Sequence, residues 1–216
     1  MSRSPSARLP VYPFTRLPQM LTRDQALALM QEYTASDSLR KHMLAVEGAM
    51  RAYAEKFGED VEQWGLAGLL HDFDYERWPN DAHDADREHP AEGVRILRGL
   101  GVPEPILQAI LGHANYSGVS RDSLMAKALF AVDELTGLIT ATALVRPSRS
   151  LNDVDVRSVQ KKMKDKAFAR GCNREDIVDG AAALGIDLPE HIQFVLDAMR
   201  ARADLLGLGG MTPAPA

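Results

Sequence analysis

Cysteine is almost missing from this sequence: Cys172 stands alone among 216 residues. One thiol excludes an internal disulfide, so the fold must rest on its core, and a reducing cytoplasm is the expected compartment. Long apolar runs are missing too. No stretch reaches the roughly 20 residues that a membrane helix needs, so no membrane partner is expected. The first residues, MSRSPSARLPVYPFTRLP, carry basic groups but no apolar segment, which argues against a secretory signal. Prolines at 5, 10, 13 and 18 suggest instead an extended arm over residues 1–20. Alternating apolar and polar residues bounded by turn chemistry are absent, which argues against sheets, and no internal repeat is visible. Positive charge is not in excess either. Lys and Arg number 25 against 30 Asp and Glu, a net charge of −5, which excludes general nucleic-acid binding as the default.

What remains is helix. The composition, 45% hydrophobic and 25% charged, can bury a core without covalent help. Thr22 with Gln25 forms a capping box ahead of Ala26, Leu29, Met30 and Tyr33 at helical spacing. Helices are predicted over about 37–57, stopping at Gly58, and over 60–72. Residues 73–86, with Pro79 and Asn80, read as a loop. Further helices are predicted near 88–99, 104–115, 121–145, 153–168, 174–184 and 188–206, the last two capped by Asn173 and Asp187. Residues 121–145 are a long, strongly apolar run and should form the buried central helix. Residues 207–216 read as a flexible tail. The expected fold class is all-α, a compact helical bundle.

Six histidines occur, at 42, 71, 83, 89, 113 and 191. His42 lies on the second predicted helix. His71 and Asp72 end the run GLAGLLHD; neighbours in sequence share no helix face, so both can reach one ion only where the helix stops. Asp133 sits inside ALFAVDELTGLI, where a carboxylate is costly unless it is paired or bound to a cation. Two imidazoles and two carboxylates make a good shell for a divalent metal. His89 and His113 could take a second ion, with Asp72 shared between the two.

In this order, His42, His71-Asp72 and Asp133 resemble the H…HD…D signature of the HD superfamily of metal-dependent phosphohydrolases. The segments LLHDFD, EHPAEG, AILGHAN and FAVDELTGLI are each similar to its motifs, over about residues 36–145. The resemblance implies a single HD-type helical domain over 21–206, with C-terminal helices at 150–206. It implies that His42, His71, Asp72 and Asp133 hold a first metal, and Asp72, His89 and His113 a second, as in its binuclear branch. After His113 the sequence reads ANYSGVSRDS, lacking the second histidine and the GYP tripeptide of the cyclic-dinucleotide phosphodiesterases, so that substrate is not implied.

The expected activity is hydrolysis of a small phosphate ester or nucleotide, monoester or diester, by a metal-activated hydroxide. The expected cofactor is two divalent transition ions, of Mn, Fe, Ni, Co or Zn. Rival readings are an HD-type diiron oxygenase and a nucleotide sensor without turnover; a homo-oligomer is left open. Asp72 is expected at the chemistry, with Asp74 and Glu76 as candidates for proton transfer. Arg40 and Lys41 are expected near the entrance. Residues 146–170 hold eight Lys and Arg against three Asp, and Arg157, Lys161 and Lys164 share one helical face that could draw in a phosphorylated substrate. His83 and His191 are expected to be surface or structural, and Cys172 is not expected to be a nucleophile. Phe73, Tyr75 and Trp78 are expected to pack the loop, though they could stack on a base.

Overall fold

The structure, a computed structural model, describes residues 20–210. It is all-helical: α1 (Arg23–Tyr33), α2 (Asp37–Phe57), α3 (Val61–Leu70), α4 (Ala91–Gly99), α5 (Glu104–His113), α6 (Leu124–Leu144), α7 (Val156–Lys164), α8 (Arg174–Ala183), α9 (Leu188–Arg200) and the short α10 (Ala203–Leu206). Short-range signals set many of the boundaries. The Thr22–Gln25 capping box opens α1, Ser36 caps α2 and Asp60 caps α3, and Gly58 ends α2 in the left-handed region that suits glycine. None of these helices is long and apolar enough to cross a membrane.

A long, strongly apolar helix is the hub. α6 packs against α2, α5, α7, α8 and α9, and its Leu129, Val132, Leu135, Leu138 and Ile139 are fully buried. At Gly180 the backbone of α8 comes so close to α6 that a Cβ there would stand 2.5 Å from the Ala131 Cα. That approach brings the start of α8 beside the middle of α6, next to Asp133. His191 of α9 also holds on to α6. Its Nε2 donates to the Ala131 carbonyl (2.9 Å), and its Nδ1 accepts from the Tyr53 hydroxyl (2.6 Å). His191 is therefore structural, and burial lowers its pKa below the ordinary imidazole value.

A buried carboxylate ties α1, α2 and the C-terminal helices together. Glu47 is 0% exposed and meets Arg23 (2.6 Å), Arg51 (2.9 Å) and Arg202 (3.4 Å). Removing it would leave three guanidinium groups facing one another. Because each of those arginines keeps some solvent contact, the expected loss for Glu47→Ala is about 2 kcal/mol. Urea unfolding would read it, and a loss below about 0.5 kcal/mol would mean that the cluster contributes nothing.

Two sequence expectations change. The helix expected over 188–206 breaks at Ala201 and resumes as α10. The expected tail starts later than residue 207, because Leu208 is 3% exposed and its carbonyl accepts from the Leu151 amide (2.9 Å). The rest of that tail and nearly all of the expected N-terminal arm lie outside the described residues.

Candidate metal centre

α3 ends at Leu70, and His71 and Asp72 occupy the turn after it. This escape from helical geometry lets two neighbours aim at one place. His42 reaches in from α2, His89 from the segment before α4, His113 from the last position of α5, and Asp133 from α6. His42 Nε2 lies 3.0 Å from Asp133 Oδ1 and 3.3 Å from His71 Nε2, and His71 Nε2 lies 3.4 Å from both Asp133 Oδ1 and Asp72 Oδ2. A second cluster faces the other oxygen of Asp72. His89 Nε2 and His113 Nε2 stand 3.3 and 3.5 Å from Asp72 Oδ1 and 3.2 Å from each other. One carboxylate thus turns one oxygen to each cluster, and either cluster has the make-up of a metal site.

The donor set fits cations for a reason visible in the hydrogen bonds. Each of the four imidazoles has a partner for its Nδ1 proton. His71 donates to the Gly68 carbonyl (2.8 Å), His113 to the Ile110 carbonyl, and His89 to Asp74 Oδ1 (2.7 Å). His42 faces the Thr136 hydroxyl (3.4 Å), whose own proton goes to the Asp133 carbonyl (2.9 Å). With Nδ1 so engaged, neutral imidazoles present only lone pairs at Nε2. In that form lone pairs and carboxylate oxygens converge, which repels unless a proton or a cation sits among them. Burial opposes charge on these groups. Even so, Asp72 and Asp133 hold His71 well above its ordinary pKa, and the histidines hold both carboxylates well below theirs. A divalent cation would supply that positive charge to the same atoms.

Residues 39–138 match the family model of the HD domain. The chain carries an HD domain. All six converging residues lie inside the matched segment; HD domains are typical of metal-dependent phosphohydrolases, and the His/Asp cluster here suits a divalent metal. No solved structure matches the chain.

The two carboxylates after the HD pair, expected as candidates for proton transfer, have partners of their own, and neither lines the cavity. Asp74 is 1% exposed; its Oδ1 accepts from His89 and its Oδ2 from the Gly93 amide (2.7 Å). With both oxygens committed, it fixes the orientation of the His89 ring. Glu76 turns away from the site. It accepts from the Ala35 and Ser36 amides (2.6 and 2.8 Å), neutralising the start of α2. Arg40 and Lys41 are also elsewhere, the first on the Gln31 and Thr34 carbonyls and the second paired with Asp37.

Above the two clusters opens a cavity of about 600 Å³. One side is the loop after the HD pair, with Tyr75, Asn80 and His83, joined by Tyr116. Tyr75 meets His89 edge-on at 5.2 Å, and His83 lies against Tyr116 at 4.8 Å. Of the three loop aromatics, Phe73 is buried and Trp78 packs near Tyr33, so only Tyr75 faces the cavity. The other side is Glu134, Asn115, Asn173 and Asp176. Burial and the neighbouring Asp133 push the Glu134 carboxyl up to about 7. Cys172 sits behind this wall, its thiol pushed up to about 12 by burial and then by Glu134, and hence unreactive.

Sequence reasoning missed this wall. Asn115 and Tyr116 come two and three residues after His113, and Glu134 follows Asp133, so proximity could have suggested them. Asn173 and Asp176 arrive only through the packing of α8 on α6, which leaves no local trace.

The basic helix does not meet its expectation. Arg157, Lys161 and Lys164 are exposed on α7, and none of them lines the cavity. Val159 is buried beneath them, so the helix presents an ordinary solvated face. At moderate salt, exposed charges away from a site act over about 8–10 Å. The double change Lys161→Glu with Lys164→Glu is therefore expected to leave KM within about twofold at 0.15 M salt. A tenfold rise in KM would return these lysines to the substrate path.

Proposed function

We propose that the chain is a binuclear metal-dependent phosphohydrolase acting on a small phosphate ester or nucleotide, and we place it in the cytoplasm. The observation that carries the reading is the Asp72 carboxylate, with Oδ2 turned to His42 and His71 and Oδ1 to His89 and His113. A pair of divalent ions there would lower the pKa of water and neutralise charge on phosphoryl oxygens. Imidazole-rich surroundings favour Mn, Fe, Ni, Co or Zn over Mg.

The chain's own contribution is preorganisation. Asp72 fixes the spacing of the two clusters through one rigid group. The Gly68 and Ile110 carbonyls, the Thr136 hydroxyl and Asp74 lock the four rings in the tautomer that turns Nε2 inward. Asp133 completes the cluster nearer α6, balancing charge beside His42 and His71. The Tyr116 hydroxyl donates to the His89 carbonyl and so ties the cavity rim to a ligand-bearing segment.

The test is metal analysis of protein purified without added metal, followed by a phosphatase and phosphodiesterase panel with the metal found. About two ions per chain and release of phosphate are expected. A ratio near one that His89→Ala does not change would reduce the site to a single ion.

A further inference from the structure

The wall facing the ligand clusters carries information about what sits beside the phosphate. Resting on the hydrolase reading, we propose that the substrate is a phosphomonoester of a hydroxyl-rich alcohol, such as a polyol or sugar, and that Glu134 and Asp176 select it.

Charge is the first argument. No Lys or Arg lines the cavity among the described residues, whereas Glu134 and Asp176 stand in its wall in addition to Asp72 and Asp133. Two divalent ions beside Asp72 and Asp133 would leave two positive charges, enough for one phosphoryl dianion, and Asp176, with Glu134 where it is ionised, opposes any further negative charge. Such a cavity can neutralise one phosphoryl group on the ions but has nothing left for a second. A nucleoside diphosphate or a polyanionic chain would place its extra charge against carboxylates.

Hydrogen-bond type is the second argument. Asp176 takes the Asn115 side-chain amide on both oxygens (3.2 Å each), which leaves the Asn115 Oδ1 as a free acceptor. Asn173 accepts the Glu175 backbone amide on its Oδ1 (3.0 Å) and turns its side-chain nitrogen toward Asp176, so of the two amide protons one remains to donate. The wall therefore mixes acceptors with a donor. An ammonium group only donates and a second phosphate only accepts, while a hydroxyl does both. Tyr75 and Tyr116 across the cavity give flat faces for the C–H surface of a polyol or sugar. A site that hydrogen-bonds a hydroxyl rejects the analogue lacking it, because its own polar groups are then left unpaired.

The test uses a matched set of substrates with the metal-loaded, full-length protein: glycerol 1-phosphate, n-propyl phosphate, phosphoethanolamine, a nucleoside diphosphate and p-nitrophenyl phosphate. Glycerol phosphate is expected to exceed propyl phosphate in kcat/KM by roughly 10–100-fold, with phosphoethanolamine and the diphosphate below glycerol phosphate. In Asp176→Asn and in Glu134→Gln the ratio of glycerol phosphate to propyl phosphate should collapse toward one, through KM more than kcat. Equal kcat/KM for glycerol and propyl phosphates, or a preference for the diphosphate or the amine, overturns the substrate class while leaving the hydrolase standing. A ratio unchanged in both variants overturns the role given to this wall. Release of phosphate from none of the five, p-nitrophenyl phosphate included, retires the hydrolase reading and this proposal with it.

Discussion

Asp72→Ala abolishes phosphate release and lowers metal content more than any other single ligand change: this is the largest effect expected. Every other ligand residue serves one cluster, whereas Asp72 faces both, at 3.3–3.5 Å from three of the four Nε2 atoms and 3.7 Å from the fourth. Its loss removes the shared charge that lets two cations sit side by side. A fall of roughly 10³-fold or more in kcat is expected, as for the loss of a central electrostatic group. His89→Ala, by contrast, should cost one ion and keep the other. Elemental analysis beside the phosphatase assay separates the two cases. Wild-type turnover in Asp72→Ala would end the mechanism proposed here.

Asp74→Ala is expected to have the largest combined effect on stability and metal affinity outside the ligands themselves. Asp74 is buried, and the variant would strand two donors, His89 Nδ1 and the Gly93 amide. Leaving buried donors unpaired costs about 1–3 kcal/mol each, so a loss of about 3 kcal/mol is expected. His89 would also lose the contact that fixes its ring, and affinity for the ion nearest it should fall by roughly 10–100-fold. Asp74→Asn keeps the shape and one acceptor, so it should recover most of the stability while still weakening that ion. Gly93 gives an independent check. A Cβ there would stand 2.6 Å from the Asp74 Cγ, so Gly93→Ala should mimic Asp74→Ala by displacing the carboxylate rather than removing it. If Asp74→Ala binds two ions with wild-type affinity, Asp74 does not orient His89. If it instead shifts the pH profile of turnover with its metal content intact, Asp74 transfers protons after all.

How far the sequence could be read depended on whether a feature was local. Asp133 inside an apolar helix and His71-Asp72 at a helix stop each carry an energetic anomaly within ten residues, and the ligand cluster forms around them. The helix starts at Thr22, Asn173 and Asp187 and the stop at Gly58 were legible for the same reason. The roles of Asp74 and Glu76 were not legible. Both lie in a turn without periodicity, and only the packing of α4 and the start of α2 decides which one points inward. The amphipathic pattern of α7 showed which of its faces meets water, but not that its lysines stand apart from the cavity. The break at Ala201 has no proline or glycine to announce it, and the burial of Leu208 depends on Leu151 more than fifty residues away.

The central claim is that two ions on one shared carboxylate hydrolyse a phosphate ester. It is tested most directly by following anaerobic phosphate release from p-nitrophenyl phosphate while Mn²⁺ is titrated into chelator-stripped protein. The account predicts that activity rises to a plateau at two ions per chain, with no need for O₂. A plateau at one ion, or an absence of phosphate release together with O₂-dependent turnover of an unphosphorylated compound, would contradict it.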